Sequence, residues 1–116
     1  MAKAFVKSYA EKFGNPPGYA PAAAYGMTRM TLAAMEKAKS AEVPDVIKAL
    51  EGLEVDDLVG KMRVDPKTHQ TLRPFFFMRC KKKEAMKGPM DFADIVATGT
   101  TPLPAEYSAC KDIGSL

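Results

Sequence analysis

The side chains able to do chemistry in this chain are few: one histidine and two cysteines stand among 116 residues. His69 has no cysteine or acidic partner at metal-ligand spacing, so it reads as a turn or hinge residue, not as a ligand or a general base. Asp56 and Asp57 are paired carboxylates, a pattern used in acid-base work, but they follow Glu54 in what reads as a solvent-facing loop. No GxSxG occurs, no glycine loop that would cradle a phosphate, and no cysteine and histidine pairing in a recognisable context. The expectation is a protein that is not an enzyme and uses neither metal nor cofactor. Arg79, Lys81, Lys82, Lys83 and Lys87 form the one basic cluster. Such a cluster can touch phosphate, yet without aromatic residues interleaved on an exposed face it reads as a solvated strand end, and nucleic acid is not an expected partner.

The stretch that invites a binding role is Gly14–Gly26, "GNPPGYAPAAAYG". A run of chain breakers gives way to a lone tyrosine, a proline and an alanine-rich segment. The residues before it, Phe5, Val6, Tyr9, Ala10 and Phe13 with Lys3, Lys7, Glu11 and Lys12 between them, have the spacing of an amphipathic helix. Gly14 can close that helix in the left-handed conformation, and Asn15, Pro16 and Pro17 cannot continue it. Pro21 suits the first turn of the next helix, where its missing N–H costs nothing, and no further proline interrupts the chain as far as Lys39. Tyr19 and Ala20 therefore sit at the mouth of a long second helix.

In that helix Tyr25, Thr28, Leu32 and Met35 form a stripe, and almost no charge precedes Glu36, so burial on most sides is expected. A short third helix is predicted from about Asp45, ended by Gly52. Past Leu58 the period changes to that of strands, one near Gly60 to Asp65 and one over about Phe75 to Lys81, separated by turn chemistry in "DPKTHQT". Phe75, Phe76 and Phe77 are consecutive and point to alternate faces, the pattern of a strand covered on both sides. Such a strand needs neighbours, and the tail beyond Lys83 is broken by Gly88, Pro89, Gly99, Pro102 and Pro104. The chain reads like the end of a larger protein.

Composition adds bounds. With 47% hydrophobic and 27% charged residues the chain is ordinary globular material. Its longest apolar segments fall far short of the roughly 20 residues of a membrane-spanning helix, and "MAKAFVKSYAEKFG" lacks the apolar core of a signal peptide. The net charge of +3 is mild, with acidic and basic residues interspersed.

Three ordered pieces, "SYAEKFGNPPGYAPAAAYGM", "AEVPDVIKALEGL" and "VGKMRVDPKTHQTLRPFFFMR", resemble the C-terminal portion of the periplasmic solute-binding proteins of ABC importers, of the branched-chain amino acid type. The likeness covers about Phe5 to Arg79, and the tail also resembles the ends of members whose ligands are amides or aromatic acids. It implies an α/β fold class: an incomplete C-terminal part of a two-lobed binding protein, three helices followed by two strands and an irregular tail. Residues 1–64 would be the helical layer and first strand of one lobe, 65–71 the interlobe crossing with Asp65, His69 and Gln70 as hinge residues, and 72–116 part of the other lobe. A side chain at the helix mouth, Tyr19 or Ala20, would pack against the bound solute. The alternative at Tyr19 is a hydrophobic staple beneath the helix. Many relatives carry Asp where this chain has Gly26, so any polar role of that residue is lost here.

The family's function implies a small solute, an amino acid, amide or aromatic acid, and a membrane ABC permease as partners. It also implies a periplasmic location, with a signal peptide in a full-length protein. In that oxidising compartment Cys80 and Cys110 are expected to be bonded to one another, the alternative being a free Cys80 and an unpaired Cys110. A Phe-rich strand without enough neighbours predicts dimerisation or swapping of the segment after Asp65. The competing class is an autonomous module that binds a protein through its sheet edge.

Overall fold

The computed structural model describes residues 1–88, 90–100 and 104–107. Three helices come first, α1 (Ala2–Phe13), α2 (Tyr19–Ala38) and α3 (Val43–Leu50). Gly14 closes α1 with φ 78°, its N–H donating to the Ala10 carbonyl at 2.9 Å, as its position before two prolines requires. Helix α3 begins two residues ahead of expectation because Pro44 is tolerated in a first helical turn.

Five strands follow among the described residues: β1 (Glu54–Asp57), β2 (Gly60–Val64), β3 (Thr71–Leu72), β4 (Phe75–Cys80) and β5 (Ala93–Gly99). They form two separate antiparallel sheets, β1-β2-β3 and β4-β5. Strands β2 and β4 match the expected ones, while β1, β3 and β5 are additional. The carboxylate pair read as a solvent-facing loop lies in β1: Asp56 is exposed as expected, while Asp57 pairs with Gly60 and is buried. Part of the tail read as irregular is β5, held by its register with β4 from Phe75↔Gly99 to Cys80↔Ala93.

The core is small. Met30 of α2 packs on Met62 and Val64 of β2, and Ala34 of α2 packs on Val46 and Ala49 of α3. The buried row of α2 is Gly26, Met30 and Ala34, spaced by four, and not the Tyr25–Leu32 stripe, since Leu32 is 58% exposed. Small residues on that row let the sheet and α3 come close. Burial on most sides is thus corrected to burial on one side. Helix α1 has no buried residue and leans on α2 through Phe5 and Tyr25, whose ring centroids are 4.7 Å apart. Strand β4 is likewise not covered on both faces: Phe75 and Phe77 are exposed on one, with rings edge to face at 5.4 Å. The radius of gyration is 17.3 Å, against about 13 Å for a compact domain of this length.

Candidate functional site

The mouth of α2 is built as its residues dictate. Gly18 is the N-cap, extended at φ −81° and ψ −167°, and offers no side chain to the first helical N–H groups. No acidic residue lies in the first turn, so the positive end of the helix dipole is uncompensated there. Tyr19 projects from this end 86% exposed, and Ala20 beside it is also exposed. A staple beneath the helix would be covered by the helix, which this exposure does not fit. An aromatic face beside open N–H groups can hold the flat or aliphatic part of a small molecule while the helix end draws its carboxylate.

Asp65, His69 and Gln70 fall in one loop. Asp65 Oδ1 accepts from the N–H groups of Lys67 at 3.0 Å and Thr68 at 2.9 Å and from the Thr68 hydroxyl at 2.9 Å. These bonds, the Thr68 N–H first, hold the Asp65 carboxyl below the usual aspartate range. His69 takes a left-handed φ of 52°, and its Nε2 lies 3.2 Å from Glu51 Oε1. The loop returns the chain from β2 to β3 within one sheet. The change of sheet comes later, at Arg73 and Pro74, between β3 and β4. His69 also lines an apolar groove of about 480 Å³ with Met27, Met30, Ile47, Leu50 and Val64. Cys80 is exposed at the end of β4 and has no disulfide partner among the described residues, and Cys110 lies outside them. Among the described residues no group of three His, Cys, Asp or Glu side chains could hold a metal, and no helix is long and apolar enough to cross a membrane.

Of the basic cluster, Lys81 is engaged by Asp91 and by Asp94 at 3.2 Å. The Asp91 hydrogen bond is the main reason its ammonium titrates above the ordinary lysine range.

A group that motif reading missed lies beneath α2. The Asp57 side chain is fully buried, and its Oδ2 is 2.8 Å from Arg73 Nη2. The contact is ionic, since neither carboxylate oxygen has an aligned hydrogen-bond donor among the described residues. Its Oδ1 rests against Gly26, where a Cβ would come within 2.5 Å. Gly26 therefore makes room for this carboxylate. One turn on, Arg29 Nη1 donates to the Asp56 carbonyl at 2.7 Å, a second tie between α2 and β1. The signal in the sequence was the period-two placement of Asp57 after Val55, which turns a charge toward the core.

The family model described as "Periplasmic binding protein" matches residues 1–85. The chain belongs to the periplasmic binding protein family. Solved periplasmic binding proteins share its fold. An amino acid ABC transporter substrate-binding protein from Pseudomonas fluorescens Pf-5 superposes with a TM-score of 0.80 over 90% of this chain and 28% of its own, at 23% identity. An ABC-type branched-chain amino acid transporter protein from Rhodopseudomonas palustris CGA009 gives 0.69 over 84% of this chain and 26% of its own, at 26% identity. A solute binding protein of an ABC transporter from Rhodopseudomonas palustris BisB5, solved with 3,4-dihydroxy benzoic acid, gives 0.71 over 84% and 26%, at 22% identity. The chain thus spans 26–28% of the length of these three relatives. No curated protein matches.

Proposed function

We propose that this chain is part of the solute-binding component of an ABC importer, in which Tyr19 and Ala20 line the solute site. The solute is an amino acid, an amide or an aromatic acid carrying a carboxylate. It is captured without covalent chemistry in the periplasm and passed to a membrane permease. The observation that carries this reading is the exposed Tyr19 on an uncapped helix end, in a chain of this family. The relatives' own descriptions, two naming amino acid transport and one solved with 3,4-dihydroxy benzoic acid, support this solute class. In this reading the lobe boundary lies where the chain changes sheets, with residues through Leu72 in one lobe and β4-β5 in the other; the two separate sheets support that division. Arg73 and Pro74 are then the crossing, a few residues beyond Asp65, His69 and Gln70. Those three serve as the turn that fixes β3 beside β2.

A cleft gripped from two lobes leaves this chain alone with only part of the contacts, so binding to it is no tighter than millimolar. Amide chemical shifts of the labelled chain, titrated with leucine and with 3,4-dihydroxybenzoate, test the reading. Weak saturable shifts concentrated at Gly18–Ala20 support it. Shifts confined to other parts of the chain, or none at all near saturation, contradict it.

A further inference from the structure

The joint between the two sheets is two residues long, Arg73 and Pro74, and follows a strand of only two residues. A connection that short has few backbone bonds of its own to set its direction. Both of its side chains are nevertheless seated. Arg73 meets the buried carboxylate of Asp57, and the ring of Pro74 lies over Gly60, its Cγ 3.1 Å from where a Cβ on that glycine would be. Asp57 and Gly60 are opposite partners at the closing end of the β1-β2 hairpin, so one tight turn braces both residues of the joint. Gly60 has φ 127°, a conformation that side chains rarely adopt, which keeps that seat open. The hairpin end is in turn pressed on Gly26 of α2, the helix whose mouth presents Tyr19.

We infer that Arg73, paired with the Asp57 carboxylate that rests against Gly26, is a positioning residue that fixes the angle at which β4-β5 leaves the β1-β2-β3 sheet relative to α2. A planar guanidinium seated on a fixed carboxylate restricts rotation about the joint in a way a lone proline does not. That this angle also sets the opening of a solute cleft rests on the proposed function; the angle itself does not.

The test needs no solute, so its failure is separable from failure of the functional reading. Spin labels are placed on native Cys80 at the end of β4 and on an exposed position of α3 by Lys48→Cys, with Cys110→Ser to leave two thiols. The distance distribution of this parent should be single and narrow. Arg73→Gln and Asp57→Ala should each broaden it roughly twofold at temperatures where circular dichroism shows the chain folded, since the joint then keeps only the seat of Pro74 over Gly60. Arg73→Lys, which keeps the charge, should recover part of the narrowing. Ala34→Gly, a core change between α2 and α3, should lower the thermal midpoint and leave the width alone. Unchanged widths in Arg73→Gln and Asp57→Ala overturn the inference, as does equal broadening by Ala34→Gly.

Discussion

Replacing Gly26 with alanine sets two effects of known size against each other. In a helix interior alanine is favoured over glycine by about 1 kcal/mol, so with open space at position 26 the variant would be more stable than the parent. The space is not open. A Cβ there would lie 2.5 Å from Oδ1, 3.1 Å from Cγ and 3.3 Å from Oδ2 of Asp57. The carboxylate must swing aside, and its contact with Arg73 at 2.8 Å is then lost. Breaking a fully buried pair costs about 3–5 kcal/mol. Arg73 remains 29% exposed, and part of the cost is screened, so about 2–4 kcal/mol is the fitting range here. Subtracting the propensity gain, Gly26→Ala should destabilise by roughly 1–3 kcal/mol. In an Asp57→Ala background the obstacle is gone, and the same substitution should stabilise by about 1 kcal/mol. Urea unfolding of the four members of this cycle, followed by circular dichroism, reads the coupling between positions 26 and 57 directly. Stabilisation of about 1 kcal/mol in both backgrounds would refute the account of Gly26 as the seat of the Asp57 carboxylate.

Other consequences are open to equally direct measurement. The lowered Asp65 carboxyl contributes stability above its ordinary value of 3.8 that is lost as pH falls through the folded value. The acid unfolding profile of Asp65→Ala should therefore be flatter than the parent's below about pH 4, and parallel profiles would speak against the turn. Strand pair β4-β5 exposes Phe77, Met78, Ile95 and Val96 together, so light scattering should show self-association at high concentration that Phe77→Lys weakens. A compact monomer throughout would contradict this. Non-reducing peptide mapping of material folded under oxidising conditions should give one linked peptide containing Cys80 and Cys110, closing a loop worth roughly 3–4 kcal/mol in the entropy model. Two thiols that alkylate without denaturant would argue against the bridge.

The helices were legible because their ends are chemical. Gly14, Pro16 and Pro17 stop α1, and Gly18 before a proline-bearing first turn starts α2. Strands β2 and β4 announced themselves by alternation and by aromatic content. Strand β1 did not, since three of its four residues are acidic and poor strand formers, and only pairing with β2 makes Glu54–Asp57 extended. Strand β5 was hidden among glycines and prolines and exists through its register with β4, where Gly99 admits the ring of Phe75. The larger side chains of the Tyr25–Leu32 stripe do not mark the buried face of α2. Close approach selected Gly26 and Ala34 instead. Of the candidate site, the mouth of α2 could be located from its breakers alone. The Asp57–Arg73 pair could not, because it joins residues 16 apart through a three-strand register that no local pattern encodes.

The claim on which the account rests is that Tyr19 faces the solute. It is tested by calorimetry on a two-lobed protein that carries this chain, comparing Tyr19→Ala with the parent for whichever amino acid or aromatic acid binds. An aromatic contact worth about 1–2 kcal/mol predicts roughly a five- to thirtyfold loss of affinity. The thermal midpoint of the solute-free protein should stay unchanged, because Tyr19 is exposed and packs on nothing that folding requires. Affinity equal to the parent's, or a loss matched by a lowered midpoint without solute, would contradict it.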